Sequence, residues 1–161
     1  MEATGGEPAR GGDRLELPRG LVREMLAYAR SQLPNEACGL LGGRAGRAER
    51  FYPATNQEAS PTAYSIPAEE LLRILTSLEG EQLELVAVFH SHPRGRAYPS
   101  PVDIRQAYYP EAVYLIASLA GPEPELRGYR IRRGRAERVA LAFPGEGSAW
   151  RGRPEGATGR L

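Results

Sequence analysis

The chain has 161 residues, of which 41% are hydrophobic and 25% are charged, and its formal net charge is +1. These values are ordinary for one soluble globular domain, and the balanced charge gives no reason to expect nucleic acid or a membrane as a partner. No apolar stretch approaches the roughly 20 residues of a membrane helix, and the single cysteine, Cys38, excludes an internal disulfide. We therefore expect a cytoplasmic protein.

Both ends of the chain are rich in glycine and poor in large apolar residues. Such a composition does not bury enough surface to offset the conformational entropy of ordering. The composition therefore predicts a disordered N-terminal tail over residues 1–13, one folded domain over 14–143 and a flexible Gly/Pro-rich tail over 144–161.

The first part of this domain predicts a short strand at 15–17 and then a helix from Pro18 to about residue 33, where Pro34 ends it. The apolar side chains of this helix fall on one stripe, formed by Leu21, Val22, Met25, Leu26 and Ala29. Residues 38–41 and 50–53 read as two strands around a glycine-rich turn, whose glycines are Gly42, Gly43 and Gly46.

After an extended piece at 64–66, Pro67 opens a second amphipathic helix. Its predicted inward-facing residues are Leu71, Leu72, Ile74, Leu75 and Leu78. The remaining predicted elements are a strand at 83–89, a short helix at 100–108, and strands near 112–119, 126–131 and 138–143. This order predicts an α/β fold: a single-domain sandwich with a mixed, largely antiparallel sheet flanked by helices.

The histidines His90 and His92 are the only two in the chain, and they follow the apolar strand at 83–89. Residues two apart on a strand project to the same face, so both imidazoles are expected to converge. Two imidazoles need a third ligand to hold zinc, most simply a carboxylate, and a fourth position stays open for water in a catalytic site. Asp103 is the nearest downstream carboxylate.

The segment from Ser100 to Asp103 also has the pattern of a helix start, with serine as the N-cap, proline first and an acid third. Both interpretations hold together, because the positive end of the helix dipole favours an ionised Asp103, the form that binds metal.

A zinc-activated water needs a separate carboxylate to take and return its proton. Composition does not choose among the 20 acidic residues. Glu36 is the attractive candidate because it stands at the entrance to a buried strand, where few acids are found. The alternative is a loop carboxylate that caps the end of the preceding helix poorly.

These residues carry a resemblance. The pattern His90-Ser-His92, seven residues, Ser100, two residues, Asp103, preceded by Glu36-Ala-Cys-Gly-Leu-Leu, resembles the JAMM/MPN+ metalloprotease family over about residues 14–143. The resemblance implies that His90, His92 and Asp103 bind one zinc ion, that Glu36 activates the water and that Ser100 helps to stabilise the oxyanion. It also implies the cytidine-deaminase-like JAMM fold.

The chain is similar to the short stand-alone bacterial members of this family. That similarity implies a peptidase or isopeptidase acting after the C-terminal Gly-Gly of a ubiquitin-like sulfur-carrier protein. Two alternatives stay open: a non-catalytic MPN-type scaffold or ubiquitin-like-protein binding module, and a zinc hydrolase of a small amide or a nucleic-acid-linked substrate. Whether the chain forms a homodimer also stays open.

Two further features have both a structural and a functional interpretation. Cys38 is either an inert buried thiol or a thiol near zinc that modulates it. The arginine-rich stretch at 127–138 alternates Tyr129 and Ile131 with Arg130 and Arg132, which is typical of a half-buried hairpin with a solvated basic face. Its functional alternative is docking of an acidic carrier protein.

Overall fold

The computed structural model describes residues 14–145, and in this range the chain forms seven strands and three helices. The strands are β1 (Arg14–Glu16), β2 (Cys38–Arg44), β3 (Arg47–Ala54), β4 (Glu84–His92), β5 (Val113–Ser118), β6 (Glu125–Arg132) and β7 (Arg135–Ala142). The helices are α1 (Arg19–Ser31), α2 (Ala68–Gly80) and α3 (Pro101–Arg105). The tails predicted at 1–13 and 144–161 lie almost wholly outside the described range.

The seven strands form one closed sheet in the order β1-β3-β2-β4-β5-β6-β7. The contacts of β2 with β3 and β4, and those of β6 with β5 and β7, are antiparallel. The β4–β5 pair is parallel, as are both contacts of β1. The prediction of a mixed, largely antiparallel sheet flanked by helices is confirmed, and the short strand β1 closes that sheet into a barrel.

The two faces of the sheet bury separate apolar clusters. On one face, α1 buries Val22, Met25, Leu26 and Ala29 together with Phe89 and other strand residues. On the other face, α2 and α3 cover a second cluster that includes Leu40, Val88, Tyr114 and Ile116. Because side chains alternate along β4, the histidines that follow Val88 at even positions lie on the face of α2 and α3.

The glycines at 42 and 43 belong to β2, so their assignment to a turn was wrong. The turn consists of Ala45 and Gly46, whose φ angles of 52° and 75° are those of a type I′ hairpin turn. A Cβ at Gly43 would collide with the carbonyl of Arg47, and one at Gly42 would collide with Leu78 of α2. These two glycines therefore permit close packing instead of reversing the chain.

Helix α2 buries a narrower stripe than predicted. Ile74 and Leu78 are buried and Leu71 and Leu75 are half-buried, but Leu72 is 66% exposed, so its placement inside was wrong. Helical geometry turns successive residues by about 100°, which places Leu72 beyond the face that Leu71 and Leu75 share. No described helix combines the length and the apolar character that crossing a membrane requires.

Candidate active site

The end of β4 brings the two histidines together. Nε2 of His90 and Nε2 of His92 lie 3.1 Å apart, and each lies 3.1 Å from Oδ2 of Asp103. His90 is 1% exposed and His92 8% exposed, so the three donor atoms form a tight, nearly buried triangle. The structure thus brings together the three residues that the sequence predicts as metal ligands.

Asp103 reaches this triangle from the first turn of α3. The Ser100 side chain accepts a hydrogen bond from the backbone N–H of Asp103 at 3.0 Å, and the Ser100 N–H donates to Oδ2 of Asp103 at 2.9 Å. This reciprocal capping box is the predicted helix start. Burial raises the pKa of Asp103, but the short contacts with His90 and His92 and the hydrogen bond from the Ser100 backbone outweigh burial and hold that pKa well below its usual range.

The hydrogen bond of Nδ1 selects the tautomer of His92. Nδ1 of His92 lies 2.8 Å from the carbonyl oxygen of Arg96, and because a carbonyl only accepts, Nδ1 carries the hydrogen. A neutral His92 therefore points a lone pair at the carboxylate. Burial lowers the pKa of His92, yet the bonds to Asp103 and the Arg96 carbonyl outweigh burial and raise it; for His90 burial dominates and lowers the pKa.

This donor set suits a zinc ion. Tetrahedral zinc with ligands at 2.0–2.1 Å separates its ligand atoms by about 3.3 Å. The observed separations of 3.1 Å among the two Nε2 atoms and Oδ2 are close to that value. A lone pair of His92 that faces an ionised carboxylate also calls for a positive charge between them, which a proton or a metal cation supplies.

Glu36 is held beside the histidines through the backbone of its neighbour. Ser91, between the two histidines, accepts a hydrogen bond from the Ala37 N–H at 2.9 Å, and the Ser91 N–H donates to the Ala37 carbonyl at 3.0 Å. Glu36 is 4% exposed, and its Oε1 has no hydrogen-bond partner among the described residues. Its predicted alternative as a poor helix cap does not describe this position, because α1 ends with Gln32 as C-cap.

The surroundings of Glu36 raise its pKa to about 8. Burial is the main cause; the charge of His92 lowers the pKa of Glu36, and the negative charge of Asp103 raises it. A buried, unpartnered carboxyl with a pKa near neutrality is suited to accept and return a proton.

Tyr64 is a site residue that the sequence analysis missed. Its ring stacks on the His90 imidazole, with centroids 4.6 Å apart and an interplanar angle of 25°. Tyr64 lies in an irregular segment 26 positions before His90, and nothing in its neighbourhood signals this contact. Ser91 was also missed, although its place between two predicted ligands offered a signal.

A cavity of about 180 Å³ adjoins the site at Asp103. Its wall is largely apolar and comes from β2, β4, α2 and the segments around Tyr64 and Tyr108; among the lining residues are Leu40, Tyr64, Ile66, Leu71, Val88 and Tyr114. Tyr108, at its rim, is 72% exposed. An extended, mostly apolar chain segment fits such a cavity better than a charged one.

Cys38 is a buried thiol, and the basic hairpin is half-buried. Burial, with the charges of Glu70 and Glu36, raises the pKa of the Cys38 thiol to about 12, and its sulfur lies near the carbonyls of Ala54 and Thr55. In β6, Tyr129 and Ile131 are buried, while Arg130 and Arg132 donate to the carbonyls of Glu111 and Pro110. The two arginines therefore bind a loop of the chain itself.

Two histidines at the end of β4, an aspartate on α3 and a buried glutamate just before β2 are the kind of donor set and carboxyl that metal-dependent hydrolases use. Residues 18–132 match the family of prokaryotic homologues of the JAB domain, and the chain belongs to that family. The predicted resemblance to JAMM/MPN+ proteins is thereby confirmed, and the peptidase and protease relatives described next confirm the prediction of a hydrolase.

Two curated relatives show the similarity in sequence. The CysO-cysteine peptidase of Mycobacterium tuberculosis strain H37Rv is 43% identical over 114 residues, which cover 69% of this chain and 78% of the relative. The "Probable TtuB-protein conjugate cleaving protease" of Thermus thermophilus is 46% identical over 94 residues, which cover 58% of this chain and 63% of the relative.

Two solved structures show the similarity in fold. The protein DSY2949 of Desulfitobacterium hafniense matches with a TM-score of 0.75 and 38% identity, covering 82% of this chain and 94% of that one. A JAB1/MPN domain protein of Archaeoglobus fulgidus, AF2198, matches with a TM-score of 0.52 and 18% identity, covering 80% and 99%. The predicted JAMM fold is confirmed.

Proposed function

We propose that this protein is a zinc-dependent peptidase or isopeptidase that hydrolyses the amide bond after the C-terminal Gly-Gly of a ubiquitin-like sulfur-carrier protein. The observation that carries the proposal is the triangle of His90, His92 and Asp103 donor atoms, 3.1 Å apart, with the buried carboxyl of Glu36 held beside it. Three protein ligands leave one position open, as catalytic rather than structural zinc sites do.

In the proposed reaction, His90, His92 and Asp103 would hold one zinc ion per chain, which would supply Lewis-acid chemistry for the scissile carbonyl and the attacking water. Glu36 accepts a proton from that water while the water oxygen adds to the carbonyl carbon. When the carbon–nitrogen bond breaks, Glu36 returns the proton to the leaving amine. The products are a free Gly-Gly carboxylate and an amine.

Ser100 is proposed to stabilise the oxyanion that develops on the scissile carbonyl. Its oxygen already accepts the Asp103 N–H, but a hydroxyl also carries one hydrogen to donate. The capping bond holds the hydroxyl in place beside Asp103, so donation to the substrate needs no further ordering of the side chain.

The substrate class rests on the relatives and on the cavity. The two curated relatives are named for cleaving CysO-cysteine and TtuB-protein conjugates, which agrees with an acyl group from a small carrier. The largely apolar cavity beside Asp103 supports a substrate with apolar residues before its Gly-Gly terminus. We place the reaction in the cytoplasm, where the free thiol of Cys38 stays reduced.

The decisive experiment offers the zinc-loaded protein a sulfur-carrier protein whose Gly-Gly terminus is extended by one amino acid, and a second carrier joined through an isopeptide bond. Intact-mass measurement should show loss of the added group at the diglycine. Chelation should abolish the loss, and zinc should restore it. If neither substrate is cleaved by protein that holds one equivalent of zinc, the proposed substrate class is wrong.

The proposed role of Glu36 has its own test. Glu36→Gln should retain zinc and lower turnover by about a hundredfold or more, the usual contribution of a general base. Glu24→Gln, on the exposed face of α1, is the matched control and should cleave at the wild-type rate. Wild-type turnover by Glu36→Gln would assign the proton transfer to another group.

A further inference from the structure

The segment between the second histidine and Ser100 is held by three consecutive carbonyl groups. Ser118 donates its hydroxyl to the Gly95 carbonyl at 2.6 Å, Nδ1 of His92 lies 2.8 Å from the Arg96 carbonyl, and Tyr129 donates its hydroxyl to the Ala97 carbonyl at 2.6 Å. The three side chains come from the three neighbouring strands β4, β5 and β6.

Ser118 and Tyr129 are buried polar residues that the proposed reaction does not use. Ser118 is 4% exposed at the end of β5, directly opposite His92 in the parallel register, and Tyr129 is 3% exposed on β6. Both hydroxyls donate hydrogen bonds to an irregular loop segment outside the sheet. Because a buried hydroxyl needs a partner, these bonds are strongly favoured over an unpaired alternative.

The two hydroxyls fix the carbonyls on either side of Arg96. With the Gly95 and Ala97 carbonyls held, the intervening Arg96 carbonyl has little freedom to turn away from His92. The Tyr98 N–H donates to the same Arg96 oxygen at 2.8 Å, and the Tyr98 ring packs edge-on against Tyr129 at 5.5 Å. The orientation of this carbonyl is thus set from both sides.

We infer that Ser118 and Tyr129 are positioning residues for the proposed metal site: they hold the Arg96 carbonyl against Nδ1 of His92, and so present Nε2 as the ligand nitrogen. A hydrogen bond from the second ring nitrogen of a ligand histidine selects the tautomer and fixes the ring, and its loss typically weakens metal binding. Neither residue touches Asp103 or His90 in a described hydrogen bond. The inference rests on the proposed metal site.

The test compares Ser118→Ala, Tyr129→Phe and the double variant with the wild type. Zinc affinity is measured by competition with a chromogenic chelator, and the double variant should bind about 10 to 100 times more weakly. Tyr129→Phe keeps the ring that packs on Tyr98, so it isolates the hydroxyl if the double variant does not fold. Tyr28→Phe is the matched control, because it removes a 2.7 Å bond of the same kind, to the Ala54 carbonyl, and should leave zinc affinity unchanged.

The second readout is the tautomer of His92 in the metal-free protein, followed by nitrogen NMR of a chain that contains only two histidines. The wild type should show hydrogen on Nδ1 of one imidazole, and the variants should show a growing share with hydrogen on Nε2. Unchanged affinity and tautomer in folded variants would overturn the inference. A wild type that binds no zinc would instead overturn the proposed metal site, so the two failures are distinguishable.

Discussion

At the scale of single residues, the site depends on one buried carboxyl beside a cluster that attracts positive charge. Burial raises the pKa of Glu36 to about 8, whereas contacts with the two histidines hold the pKa of Asp103 far below its usual range. In the metal-free protein, Asp103 therefore stays ionised near neutral pH, whereas both protonation states of Glu36 are accessible there. An always ionised carboxylate suits a metal ligand, and a carboxyl that exchanges its proton near neutrality suits a group that accepts and returns one.

The raised pKa of Glu36 predicts a pH-dependent stability difference in the metal-free protein. The neutral carboxyl contributes stability that is fully present below its ordinary pKa of 4.5 and is lost as pH rises through about 8. Glutamine is neutral at every pH, so Glu36→Gln keeps this stability. Between pH 5 and 8.5 the free energy of unfolding of the variant should therefore rise relative to that of the wild type by on the order of 1 to 4 kcal/mol. Denaturant unfolding of chelator-treated protein at both pH values measures the difference; a constant difference would contradict the burial of Glu36.

The stacked ring of Tyr64 predicts an effect on the ligand beneath it. Tyr64→Phe keeps the ring on His90 and should retain zinc affinity, whereas Tyr64→Ala frees the imidazole and should weaken zinc binding by about tenfold. Chelator competition on both variants measures this. Equal affinities for the Phe and Ala variants would show that the stacking does not orient His90.

At the scale of elements, strand β2 contains glycines at positions where the neighbouring elements leave no room for a side chain. A side chain at Gly43 would meet the backbone of the adjacent strand β3, where little adjustment is available. The glycines of β2 therefore determine how closely β3 and α2 approach it. Glu36 lies two residues before the start of β2. Their pattern alone favours a turn, because the contact that excludes a side chain comes from other elements.

This packing predicts that Gly43→Ala lowers the free energy of unfolding by about 1 to 3 kcal/mol, the usual range for overpacking. Gly80→Ala is the matched control: apart from the chain neighbours and backbone of α2 itself, no atom of the described residues lies within 4 Å of the added Cβ, and the position ends α2. The control should be neutral or slightly stabilising. Thermal or denaturant unfolding compares the two, and equal stabilities would contradict the close approach of β3.

At the scale of the whole molecule, the proposed zinc joins β4 to α3, two elements that are otherwise separated by an irregular segment. A ligand that binds only the folded state stabilises it by about 2.7 kcal/mol at a free concentration 100 times its dissociation constant. Zinc should therefore raise the unfolding temperature of the wild type, and Asp103→Asn should lose most of that increase. An equal increase in both proteins would place the zinc elsewhere.

Local patterns in the sequence determined the amphipathic helices, most strand positions and the predicted ligand set. Each of these patterns depends on residues within one or two elements, so it can be recognised without knowing the fold. They are helical periodicity, strand alternation and the spacing of His90, His92, Ser100 and Asp103. The same locality explains the error at Leu72: an apolar residue beside an apolar stripe reads as buried until the neighbouring elements define the width of the contact.

Only the tertiary structure decided which distant residues meet. The bond that holds Glu36 near the histidines joins Ala37 to Ser91 across 54 residues, and the bond from Tyr129 reaches Ala97 across 32. Tyr64 on His90, the apolar cavity and the closure of the sheet through β1 arise in the same way. Such contacts follow from strand order and register, which fix the neighbours of each residue and leave no trace in local spacing.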